Sequence, residues 1–158
     1  MITVRQATLR DSRVIAELLE KKYSFATSTE ARRAFRWEYQ RHHHFRLAED
    51  SGRAVGIMSW RPQGTAKHGV AELTRLAVTS DYPEPAKVKE ALFDVMVAEA
   101  DFYYRQHGGR LRKVFSMIHA DAKHLKQFFL DKGMQQEALL KSHFHPGQDE
   151  LIFSLFLA

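Results

Sequence analysis

The chain contains no cysteine. Disulfides, cysteine nucleophiles and thiolate metal sites are therefore excluded, and a reducing compartment is compatible. No run of roughly 18 apolar residues exists, so no membrane-spanning helix is expected. The first residues, MITVRQATLRDS, lack the apolar core of a secretory signal. These absences point to a soluble, cytoplasmic protein. Proline and glycine are sparse, 4 and 8 in 158 residues, and no linker, repeat or low-complexity segment is visible. The rest is 44% hydrophobic and 27% charged, enough for an ordinary core, and the length fits a single domain over residues 1–158. The net charge of +5 favours acidic partners: nucleic acid, a phosphorylated cofactor or an acidic carrier protein.

One stretch organises the rest: Val70–Ala91, VAELTRLAVTSDYPEPAKVKEA. Val70, Glu72, Thr74, Leu76 and Val78 alternate with Ala71, Leu73, Arg75 and Ala77, so the first set is expected on one face of a strand. A polar turn follows at Ser80–Pro85, and then a long helical pattern. A strand running through a tight turn into a helix start leaves backbone N–H groups aimed outward, where an anion can bind.

The remaining elements follow from periodicity and punctuation. Ile2–Ala7 alternates as a strand. A helix capped by Asp11 or Ser12 carries Val14, Ile15, Leu18 and Leu19 at helical spacing. Thr27 and Glu30 have capping-box spacing and open a second helix, with Ala31, Ala34, Phe35 and Tyr39 inward. Phe45–Glu49 and Ala54–Trp60 read as a hairpin about Ser51-Gly52. Pro62–Gly69 reads as a loop. A helix from Pro85 to His107 has Val88, Leu92, Val95, Met96 and Phe102 on its buried side, and Gly108-Gly109 ends it. Arg112–Ile118 is a strand. A helix opening near Asp121 turns Leu125, Phe128 and Phe129 inward and stops at Gly133. Met134–Phe144 and Leu151–Leu157 close the chain as strands, which could pair or swap across a homodimer. The order is β-α-α-β-β-β-α-β-α-β-β.

Two segments carry a family resemblance. Ala71–Tyr82, AELTRLAVTSDY, resembles the fourth strand of the GCN5-related N-acetyltransferases (the GNAT superfamily). Asp121–Met134, DAKHLKQFFLDKGM, resembles that family's later motif, Asn-x-x-Ala-x-x-Phe-Tyr-x-x-x-Gly-Phe. The element order is the family's as well, over nearly the whole chain. The fold implied is α/β: a mixed, mainly antiparallel sheet flanked by helices. The activity implied is transfer of an acyl group, usually acetyl, from acetyl-CoA to a primary amine. By the same resemblance the fourth and fifth strands splay, a strand-four amide polarises the thioester carbonyl, and the amine attacks directly.

Carried over residue by residue, the resemblance assigns the pantetheine-binding backbone to Leu76, Ala77 and Val78. It gives Glu72 the place of a general base; a solvated or arginine-paired strand glutamate is the other reading. The phosphate loop departs from the family's Arg/Gln-x-x-Gly-x-Gly/Ala. Here it reads Pro83, Glu84, Pro85, Ala86, Lys87, Val88. Both glycine positions carry a Cβ, Pro85 has no N–H, and Glu84 is negative. The N–H groups of Ala86, Lys87, Val88 and Lys89, with the two lysine charges, are what remains to hold a pyrophosphate. Phe129 occupies the slot of the family's tyrosine acid, which a phenyl ring cannot replace, and Ala122 replaces the motif's asparagine. Asp121, His119, Tyr82 or water are the substitutes. Core packing is the other reading of Phe128-Phe129.

His42-His43-His44 has neither cysteine nor nearby carboxylate to complete a metal site, so no metal is expected. His143 and His145 share a strand face. Arg32, Arg33, Arg36, Arg41 and Arg46 surround Phe35, Trp37 and Tyr39. On a helix, Arg32, Arg33 and Arg36 form a solvated face, and nucleic acid is not the expected partner. By the resemblance, Phe25–Tyr39 lines the acceptor site. Two alternatives to acetyl-CoA-dependent transfer stay open. One is transfer from acyl carrier protein; the other is a GNAT-shaped binding or regulatory module without catalysis.

Overall fold

The computed structural model describes residues 1–157. Seven strands and four α-helices follow in the expected order, with one short 3₁₀ turn at Leu9–Asp11. The strands are β1 (Ile2–Gln6), β2 (His44–Asp50), β3 (Arg53–Gln63), β4 (Val70–Val78), β5 (Lys113–His119), β6 (Gln135–His145) and β7 (Gln148–Phe156). The helices are α1 (Ser12–Tyr23), α2 (Ser28–Tyr39), α3 (Pro85–Gln106) and α4 (Lys123–Asp131). The strands form one mostly antiparallel sheet in the order β1-β2-β3-β4-β5-β7-β6, flanked by the helices. By contact density the chain divides into two compact units: Met1–Arg61 with Thr74–Glu99, and Pro62–Leu73 with Ala100–Ala158.

In the first unit β1 and β2 pair antiparallel from Ile2↔Asp50 to Gln6↔Arg46, and β2 pairs β3 around a tight turn. That turn needs positive φ at Ser51 (51°) and Gly52 (78°), as the Asp-Ser-Gly sequence indicates. The apolar stripe of α1, Ile15, Leu18 and Leu19, packs with Ala31 and Phe35 of α2 onto Phe45, Leu47 and Ile57. Phe35 meets Phe45 edge-on at 4.9 Å. One half of the predicted capping box is present, the Glu30 N–H donating to Thr27 Oγ1 (3.1 Å); the Glu30 carboxylate accepts instead from the Ala26 N–H (2.9 Å), one residue before the cap. Such a cap contributes about 1 kcal/mol. At Gly56 the chain packs close to α3, where an added Cβ would stand 2.7 Å from Val88 Cγ1 and 3.2 Å from Leu92 Cδ1.

In the second unit β4 pairs parallel with β5 at Val70↔Lys113, Ala71↔Val114 and Glu72↔Phe115. β5 pairs β7, and β7 pairs β6, both antiparallel. Phe129 is fully buried, with its ring 6.1 Å from Phe153 and 5.9 Å from Phe128.

Several expectations are corrected. Phe102 is 64% exposed, not on the buried side of α3. The buried ladder there runs Val88, Leu92, Met96, Ala100 and Tyr104, four residues apart, and Phe102 falls outside it. β3 runs on through Pro62 to Gln63, so the following loop is shorter than predicted. α4 opens at Lys123, with Asp121 in the turn before it. Finally, burial does not alternate along β4. Ala71 and Leu73 are buried, Thr74 and Arg75 are both partly exposed, and Leu76 and Ala77 are both buried. Leu76 is therefore buried where Glu72 is partly exposed.

Candidate functional site

The site of the first unit is built around the Leu76 peptide of β4. The Leu76 N–H donates to the Tyr23 hydroxyl at 2.8 Å, and that hydroxyl approaches the Leu76 carbonyl at 3.3 Å. A strand peptide is thus satisfied by a side chain. Tyr23 is the last residue of α1, and Ser24 behind it takes a left-handed conformation (φ 54°) that ends the helix. Burial raises the Tyr23 phenol above its usual range; the Leu76 N–H and the charge of Arg75 pull it back, while Glu38 adds to the rise.

A buried ion pair supports this tyrosine. Arg75 donates through two nitrogens to both Glu38 oxygens, at 3.0 and 3.1 Å. Its guanidinium lies 4.6 Å over the Tyr23 ring and 5.6 Å over Phe25. The network extends from Glu38 to His43 Nδ1 (3.8 Å), from His43 to Thr74 Oγ1 (3.3 Å), and from Thr74 to Ser59 Oγ (2.8 Å). The sequence placed Phe35 and Tyr39 on the inward side of α2 but gave no role to Glu38 or Tyr23. A signal existed for Glu38, which stands three residues after Phe35 on the inward stripe of α2.

At the C-terminal end of β4, Val78, Thr79 and Ser80 line a cavity of about 410 Å³ with Leu18, Lys21 and Lys22 of α1 and with Arg53. Arg53 holds both oxygens of Asp81, at 2.7 and 2.6 Å. α3 begins at Pro85, as a proline at the first helical position should. Two details of the predicted phosphate loop change. The Lys87 N–H donates to the Glu84 carbonyl (3.1 Å) and so is not open to a ligand. Glu84 is neutralised by Lys87 Nζ at 2.8 Å. Lys89 is partly buried, and its ammonium is pushed below its usual value, first by burial and then by the positive charge of Lys22. Lys22 of α1 and Lys89 of α3 thus contribute positive charge to the same region, with Ala86 and Val88 at the helix start.

Two of the substitutes suggested for the missing acid, Tyr82 and His119, lie against carboxylates. The Tyr82 hydroxyl donates to Asp50 Oδ2 (2.8 Å), and His119 Nδ1 lies 2.7 Å from Glu150 Oε1. In the second unit Glu72 Oε1 accepts from Gln63 Nε2 at 2.6 Å, and Asp121 is exposed. His43 is buried in the network described above, and His44 stacks on Trp60 at 4.4 Å. No cluster of three or more metal-ligating side chains is found among the described residues. No helix among them is long and apolar enough to cross a membrane.

No family model and no curated protein matches the sequence. Solved structures do match over the whole length. The ribosomal-protein-S18-alanine N-acetyltransferase of Escherichia coli superimposes with TM-score 0.79 at 14% identity, covering 100% of this chain and 95% of its own. A GNAT-family acetyltransferase of Bacillus cereus gives 0.76 at 13% identity, covering 100% and 99%. Aminoglycoside 6'-acetyltransferase type Ii gives 0.77 at 14% identity, covering 98% and 96%. With the seven-stranded sheet, its four flanking helices and their order, these likenesses give the conclusion that the chain has the GNAT acetyltransferase fold.

Proposed function

We propose that the protein is an acyl-CoA-dependent N-acyltransferase that moves an acetyl group from acetyl-CoA to a primary amine by direct attack on the thioester. The observation that carries this reading is the Leu76 peptide. Its N–H donates to a side chain, the Tyr23 hydroxyl, at 2.8 Å. A thioester carbonyl can replace that hydroxyl and be polarised there. Amides of Leu76, Ala77 and Val78 are the backbone assigned to the pantetheine arm. The pyrophosphate belongs at the α3 start, Ala86 to Lys89. There the positive charges of Lys22 and Lys89, close enough for Lys22 to lower the Lys89 pKa, stand in for the glycines that the loop lacks.

Glu72 is the proposed general base for the attacking amine, four residues before Leu76 on β4. Gln63 Nε2 donates to one carboxylate oxygen at 2.6 Å and helps fix the side chain. Without cysteine no acyl-enzyme through sulfur forms, which favours direct transfer. The acceptor enters along the α1–α2 segment from Phe25 to Tyr39, where Arg33 and Arg36 are exposed and suit an acceptor bearing carboxylate or phosphate.

Calorimetric titration with acetyl-CoA, and with CoA alongside, tests the proposal. Micromolar binding is expected, followed by thiol release with at least one member of a primary-amine panel: a peptide α-amine, a lysyl peptide, a polyamine and an aminoglycoside. Absence of binding at high micromolar ligand overturns it. Turnover with acyl carrier protein in its place would identify the carrier as the donor.

A further inference from the structure

We infer that Tyr23 is the residue that protonates the departing sulfur in this transfer, from a place at the end of α1 rather than on α4. The inference rests on the proposed acyl transfer and assigns a residue within it.

Three observations converge on this phenol. Its oxygen is 2.8 Å from the Leu76 nitrogen, the donor proposed to take the thioester oxygen. When a carbonyl takes that N–H, the displaced hydroxyl is left beside the carbon under attack, and the sulfur is bonded to that same carbon. Next, the surroundings suit both protonation states. Burial keeps the phenol protonated near neutral pH, while the Arg75 guanidinium over the ring and the Leu76 N–H stabilise the phenolate once it forms. The charged groups facing it are Arg75 from β4 and Glu38 from α2, and they are paired to each other. Lastly, of the other hydroxyl and imidazole candidates the Tyr82 hydroxyl donates to Asp50 and His119 stands beside the Glu150 carboxylate, and Phe129 has no proton to give.

The step balances. The amine nitrogen lone pair forms the C–N bond, and the C–S bond breaks with its electron pair on sulfur. Tyr23 gives its proton to that sulfur and is left as phenolate. The proton lost by the amine nitrogen leaves through the base and water and restores the phenol. Overall one amine N–H is exchanged for one S–H.

The test compares wild type, Tyr23→Phe, and the protein carrying a fluorinated tyrosine with a more acidic phenol at position 23. Each is titrated calorimetrically with acetyl-CoA, and then assayed with the best acceptor of the amine panel across pH. Tyr23→Phe is expected to bind acetyl-CoA within threefold of wild type and to lose about 100-fold in kcat, the usual scale for removing a general acid. The fluorinated protein is expected to move the alkaline fall in kcat to lower pH. A merely structural role would not move that limb. The inference is overturned if Tyr23→Phe keeps kcat within threefold, if it loses binding and kcat together, or if fluorination leaves the alkaline limb in place. Wild type that neither binds nor turns over acetyl-CoA overturns the acyltransfer reading itself, and this inference with it.

Discussion

Glu38 of α2 and Arg75 of β4 form a two-pronged ion pair, 3.0 and 3.1 Å, with the Glu38 side chain 9% exposed. Removing one partner leaves the other charge buried and alone, a loss of about 3 kcal/mol in chains where this has been done. Arg75→Met is therefore expected to lower unfolding free energy by about 3 kcal/mol. The double variant Glu38→Gln, Arg75→Met should lose less than the sum of the two single changes. Urea denaturation of the four proteins measures the coupling; strict additivity would show that the pair does not act as a unit.

Gly56 is packed, not flexible. A Cβ there meets Val88 Cγ1 at 2.7 Å and Leu92 Cδ1 at 3.2 Å. Gly56→Ala is expected to destabilise by about 1–3 kcal/mol through overpacking of β3 against α3. Gly52→Ala, with open space around it but φ of 78°, tests backbone strain instead. Thermal melts of the two variants compare these costs directly.

His44 supplies a pH dependence. Burial, helped by the charge of Arg46, lowers its pKa to about 4. The folded state thus favours the neutral ring. That contribution is fully present above the unfolded value near 6.5 and is lost as pH falls through about 4. One third of the side chain is exposed, so screening reduces the effect to about 2 kcal/mol. Glu99, 3.7 Å away, acts in the opposite sense: burial raises its pKa, so its contribution is present at low pH and lost as pH rises. His44→Gln is expected to flatten the fall in the urea midpoint between pH 6.5 and pH 4. An unchanged fall would assign it to other groups.

The lysine pair predicts a binding phenotype under the proposed function. Lys22→Ala and Lys89→Ala are each expected to weaken CoA binding about tenfold, or roughly 1.4 kcal/mol. The loss should shrink as salt rises, because partly exposed charges are screened. Lys87→Ala is the control: Lys87 is tied to Glu84, and its removal should change affinity less than threefold. Equal losses for all three would point to overall charge rather than to a built site.

Most of the fold was legible in the sequence because local physics specifies it. Helical spacing in α1 and α2, the Thr27–Glu30 cap, the Ser51-Gly52 turn and Pro85 at the start of α3 each depend on neighbours a few residues away, and each is found where the sequence puts it. The phosphate loop's lack of glycine was equally plain. What only the tertiary structure decided depends on contacts distant in sequence. Strand alternation alone placed Glu72 and Leu76 on one face, but it held no sign that the Leu76 N–H meets Tyr23, 53 residues earlier. Glu38 reads as one more charge on an arginine-rich helix until Arg75, 37 residues later, closes on it. A charged or hydroxyl side chain has no fixed partner in a one-dimensional pattern; burial and geometry select the partner, and they exist only once the strands and helices have packed.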